Sequence, residues 1–236
     1  MPASAYQPQR TQPVSAQSSA GVCVRGDGSH LVIERRTVQV GEGQGIRFYD
    51  GIVTARLDRD ASGGGKHIGA VAFTLYRPGQ ECEWAYNQVV EEVDSGRIET
   101  TALGGTTLVH LIGASFGGSG NGYTHFVLTP TQDGFTPAIT SALKHSNMGG
   151  HHIGVLGGGS KPRVTVWDAI WDSGAHYDPH KYSVTSYPWS GAAFDLPRRT
   201  TTSFEVDAEP DALPVRLGWQ GRDQTGQDRF ARIVPR

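Results

Sequence analysis

The chain has 236 residues, 37% hydrophobic and 19% charged, with 32 glycines and 13 prolines. That length can bury a real core. The glycine and proline content fits an all-β chain with many turns, and a formal charge of -2 gives no general pull toward nucleic acid or an anionic membrane surface. No apolar run approaches the roughly 20 residues of a membrane span.

Residues 1–20, "MPASAYQPQRTQPVSAQSSA", are rich in Pro, Gln and Ser. They cannot support a core and read as a flexible tail without an apolar signal segment. A polar tail followed by a domain is the layout of a secreted or periplasmic protein written from its mature end. Residues 21–236 then form a single all-β domain. Cys23 and Cys82 suit either one disulfide or two buried thiols.

From Gly21 onward period-two alternation dominates. "HLVIERRTVQV", "IVTARL", "IGAVAFTLY", "LVHLIGA", "THFVLT", "RVTVWDAIW", "KYSVTSY", "PVRLGW" and "RFARIVP" all read as strands. "AYNQVVEEV" and "AITSALKH" read either as short helices or as strands. Three stretches share a strand, loop, strand pattern at a constant 56-residue spacing, starting at Ile52, Leu108 and Val164. A fourth, shorter copy ends the chain in "PVRLGWQGRDQTGQDRFARIVP". About two further strands fit between successive copies. A four-stranded unit recurring at this spacing predicts a small β-propeller-like array of repeated antiparallel hairpins and meanders. "HLVIERRTVQV" and "GIRFYDG" would complete its last unit and close the ring. A β-trefoil, a β-sandwich and a closed β-barrel are the alternatives.

"HHIGVLGGGSKPRVTVWDAIW" resembles the FG-GAP/VCBS type of propeller repeat, and "HYDPHKYSVTSYPWSGAAFDL" the hairpin that follows it in exported bacterial proteins. The likeness spans roughly residues 105–205 and implies a propeller. The acidic turn of that family is replaced here by "GGGSKPR", so its calcium site is not implied. Asp58 and Asp60 lack the further ligands of a calcium loop. "GIRFYDGIVTAR" and "GKHIGAVAFTLYRPG" also resemble strands of dirigent-like and allene-oxide-cyclase-like barrels.

Chemistry enters at four places. Gly113-Ala-Ser115-Phe-Gly117 fits the G-x-S-x-G spacing of a nucleophile elbow, with Asp133 or Asp172 and His176 or His180 as partners. The glycines that follow oppose the helix an elbow needs, so the stretch reads as a strand entering a loop. The histidines of two short stretches, His145, His151 and His152 in "HSNMGGHHIG" and His176 and His180 in "HYDPHKY", suit a transition metal such as zinc, copper or nickel, with His151, His152, His176 and His180 as the ligands. Trp171, His176, Tyr177 and His180 form the best surface for a protein, small-molecule or carbohydrate ligand, because loops carry function. "ASGGGKH" and "GVLGGGSKP" lack phosphate-loop spacing and read as turns. The sequence favours a non-enzymatic binding or interaction protein of the cell envelope or exterior. A serine hydrolase using Ser115 and a metal-dependent enzyme on a β-scaffold are the competing readings.

Overall fold

The computed structural model describes residues 30–41, 45–59, 66–78, 84–116, 122–156, 161–172, 175, 178–207 and 212–219. The fold is all-β and antiparallel, in three separate sheets. The first joins β1 (His30–Val40), β2 (Arg47–Arg59), β3 (Lys66–Tyr76) and β4 (Trp84–Glu91) in chain order. The second runs β5 (Ser95–Leu103), β6 (Thr106–Ser115), β7 (Gly122–Pro130), with β8 (Phe135–Pro137) and β9 (Leu143–Ser146) both paired to β7. The third runs β10 (Gly150–Gly154), β11 (Arg163–Ala169), β12 (Tyr182–Pro188) and β13 (Arg198–Thr201). One short helix, α1 (Ala212–Arg216), follows.

The three stretches beginning at Ile52, Leu108 and Val164 fall on β2–β3, β6–β7 and β11–β12, the central hairpins of the three sheets. The segment "AYNQVVEEV" lies in β4 up to Glu91, and "AITSALKH" ends in β9. One expectation fails. "PVRLGW" is not a strand: Pro214 fixes φ and has no N–H to give a ladder, and it sits instead in α1. The N-terminal strands β1 and β2 pair with each other in the first sheet, and most of the C-terminal unit they were expected to complete lies outside the described residues. Among the described residues no sheet closes into a barrel, and the ring expected of a propeller is not formed. The tail, Cys23, Cys82 and "RFARIVP" lie outside the described residues.

The second sheet is the middle layer. Side chains alternate across a strand, and here the two faces of the sheet meet two different cores. Ile98, Val109, Leu111 and Leu128 pack with Val38, Tyr49, Val53, Val71, Phe73 and Leu75 of the first sheet. Leu103, Leu108 and Val127 face the other way and pack with Val164, Val166, Tyr187 and Trp189 of the third. Burial on both sides explains why β6 reads as the near-continuous apolar run "LVHLIGA" rather than as an alternating strand. The first interface is tight: a Cβ at Gly96 would lie 2.8 Å from both Phe73 and Val71. The remaining face of the third sheet carries Trp167, Ala169, Tyr182 and Val184 and is covered by Leu213 of α1, Phe204, Val206 and Trp219. Burial there pushes the Tyr182 phenol up to about 12.

Candidate metal centre

Between the second and third sheets the apolar packing gives way to imidazoles. His110 on β6 sits opposite Val127 of β7, and His125 on β7 sits opposite Ile112 of β6. Two residues apart in register, they share one face, the face turned to the third sheet. His110 Nε2 lies 3.0 Å from His125 Nδ1. On the other flank of β7, His145 of β9 sits opposite Tyr123. His151 of β10 sits opposite Val166, whose side chain enters the core shared with the second sheet. The His125 ring centroid is 4.2 Å from that of His151 and 4.8 Å from that of His145.

His110, His125 and His151 each offer a ring nitrogen, and the three nitrogens lie within 4.8 Å of one another. His110 is 2% exposed and His125 0%. Two imidazole nitrogens bound at about 2.0–2.1 Å to one tetrahedral ion stand roughly 3.3–3.4 Å apart. Among these three, His110 Nε2 and His125 Nδ1, at 3.0 Å, are near that spacing. Whichever ring carries the proton between His110 and His125, Nε2 of His125 is left buried without a hydrogen-bond partner. A buried orphan nitrogen costs about 1–3 kcal/mol, so the fold retains a polar atom that its own residues do not satisfy.

A chain of hydrogen bonds sets His151 from behind. Asp168 Oδ1 accepts from the Ser146 backbone N–H at 3.0 Å and from its hydroxyl at 2.6 Å. His145 Nδ1 donates to the Ser146 carbonyl at 2.7 Å, which leaves its Nε2 as an acceptor. That Nε2 lies 3.3 Å from Nδ1 of His151. His151 Nδ1 therefore donates, and its other nitrogen keeps a lone pair. Ligating histidines are oriented in this way by an outer partner. The turn from Ser146 to Gly149 closes with a 3.1 Å backbone bond and carries the chain from the second sheet into the third. Gly149 is required there: a Cβ would lie 2.3 Å from the Trp167 carbonyl and 2.8 Å from His145 Cβ.

The charge state suits a metal. Desolvation holds the His125 pKa well below the usual histidine value, and the neighbouring His151, His110 and His145 and Arg97 push it the same way. Burial lowers His145 too, opposed by its bond to Ser146 and by Asp168. Neutral imidazole is the ligating form. An all-imidazole set suits zinc, nickel or copper(II) and not calcium or magnesium, which take oxygen ligands. Asp168 and Glu99, which sits opposite His110 on β5, supply negative charge nearby.

Of the predicted ligands among the described residues, only His151 joins this centre. His152 is the next residue along β10 and sits opposite Thr165, so alternation places it on the other face of the third sheet. His180 is 2% exposed, bridges to Val206 and faces the Ala175 carbonyl at 3.2 Å, which is a structural position and not an open surface. Trp171 is 44% exposed with its ring 4.6 Å from that of His180. His176 and Tyr177 lie outside the described residues. His110 and His125 were missed, whereas His145 stands in the same histidine stretch as His151. Each of these two missed residues stands alone among apolar or β-branched neighbours and reads as a core histidine until the pairing of β6 and β7 is known.

Ser115 ends β6 and pairs with Gly122 of β7, so the strand turns into a hairpin rather than into a helix. The two glycine loops lead into β3 and β11, not into helices. Asp58 pairs with Arg56 at 3.0 Å on the surface.

Comparisons with protein-family models, with curated proteins and with solved structures returned no match, so the FG-GAP/VCBS likeness rests on the sequence alone.

Proposed function

We propose that the protein binds a transition-metal ion of the zinc, nickel or copper(II) class through His110, His125 and His151, with His145 as the positioning residue behind His151. The observation that carries this reading is the convergence of three ring nitrogens within 4.8 Å around a fully buried His125 whose Nε2 has no other partner. Three protein ligands leave a fourth position for water or a small ligand, so a metal-dependent enzyme on the β-scaffold remains within its scope. The test is calorimetric titration of chelator-treated protein with zinc, nickel and copper(II), alongside His125→Ala, His151→Ala and His152→Ala. One equivalent of metal binds to the wild type and to His152→Ala, and both other variants lose it. Equal binding by all four would sink the assignment.

A non-enzymatic exterior binding role is compatible with this and draws on the exposed Trp171 ring. Tryptophan fluorescence titrated with glycans and peptides tests it, with Trp171→Phe as control. A response that survives in Trp171→Phe removes that residue from the reading.

A further inference from the structure

The ligands come from two different sheets. His110 and His125 belong to the second sheet, and His151 belongs to the third. The Ser146–Gly149 turn that steps between the sheets is flanked by His145 on one side and His151 on the other. Asp168 of β11 grips that turn through both the N–H and the hydroxyl of Ser146. The two layer interfaces are not equivalent. The one between the first and second sheets is filled by apolar side chains such as Phe73, Leu75, Ile98 and Leu111, each 0% exposed. The one between the second and third has a smaller apolar cluster, bordered by four packed histidines and the orphan His125 nitrogen.

Resting on the metal reading above, we infer that the ion is a clamp that holds the third sheet to the second, so that metal occupancy controls the docking of β10–β13 and α1. Without metal, that interface carries an unsatisfied buried nitrogen, and the layers are joined at the histidines by ordinary hydrogen bonds, His145 to His151 and Ser146 to Asp168. With metal, the layers cannot part there until the bond to His151 breaks. The first two sheets hold no part of the cluster between them and keep their packing in either state. The partner that regulates this protein is then the metal ion itself, and its effect is graded along the chain: strong from Gly150 onward, absent before Glu91.

Amide hydrogen exchange read by mass spectrometry on the full chain tests this, with zinc in excess and with EDTA. At a zinc concentration about 100 times the Kd, an opening that breaks the site slows roughly 100-fold. Removing zinc is expected to speed exchange in β10, β11 and β12 toward that factor while β2 and β3 stay unchanged. His151→Ala takes away the third sheet's ligand, and its exchange with zinc should match the wild type in EDTA. The EDTA arm needs no variant and stands even if His151→Ala folds poorly. Calorimetry on the same sample separates the two ideas. Zinc that binds without changing exchange, or that slows all three sheets equally, overturns the clamp and leaves the metal reading standing. Zinc that fails to bind overturns both.

Discussion

Replacing His125 by leucine should cost far more stability in zinc than in EDTA. In EDTA the substitution removes a fully buried imidazole with an orphan Nε2. Relief of an unsatisfied buried polar group is worth about 1–3 kcal/mol, and taking the His125 partner from the buried His110 Nε2 costs about 1–3 kcal/mol in turn. Leucine is close enough in volume to fill the space without a large cavity. The two effects offset, so the variant should lie within about 2 kcal/mol of the metal-free wild type. In zinc the gap widens against the variant. Wild type gains about 2.7 kcal/mol at 100 times its Kd, and the variant, with two ligands left, gains little. Urea unfolding of both proteins in EDTA and in zinc reads this directly, from midpoints at a common slope. The reasoning is refuted if His125→Leu loses 2 kcal/mol or more in EDTA while keeping the same response to zinc, because His125 would then be an ordinary packed core residue.

Metal-free wild type should lose stability as the pH falls below about 6.5, the usual histidine value. Above that pH both states hold neutral imidazoles. Below it the unfolded chain takes up protons that His125 and His145, held down by burial, refuse, so each costs up to about 1.4 kcal/mol per pH unit until its own lowered value is reached. Urea midpoints measured in EDTA between pH 5 and 8 check this, and a flat profile would contradict the burial argument. Gly149→Ala should destabilise by about 1–3 kcal/mol and weaken zinc binding, because the new methyl meets the Trp167 carbonyl and His145 Cβ inside contact distance; thermal melts and calorimetry read both effects. Ser115→Ala should shift stability by no more than about 0.5 kcal/mol. The wild-type protein should not react with a fluorophosphonate probe, since a hairpin end supplies no elbow.

The hairpins were legible because period two and bounding glycines are local signals, and β2–β3, β6–β7 and β11–β12 stand where the alternation places them. The stacking of the sheets was not, because nothing local says which face of a strand meets which sheet. β6 held a clue: a strand apolar on both faces belongs in a middle layer. The site was hidden for the same reason. His110 and His125 are 15 residues apart, and only the register that pairs His110 with Val127 puts both on one face. Adjacent histidines gave a more visible but misleading signal. His151 and His152 cannot both point to one centre from an extended strand, and that parity argument was available from the sequence alone.

The two-sided burial of the second sheet has a consequence for synthesis. Thr201, the last residue of β13, lies 86 residues after Ser115, the last residue of β6. At 5–20 residues per second the ribosome needs about 4–17 s to cover that distance. During this interval the first sheet is already available to one face of β6, while the other face has no layer to meet. A bare strand of Leu108, Ile112 and their neighbours is a template for pairing with other nascent chains. His110 stands in the middle of that waiting face as a hydrated polar group, so the residue assigned to the metal also keeps the unfinished strand from being uniformly adhesive.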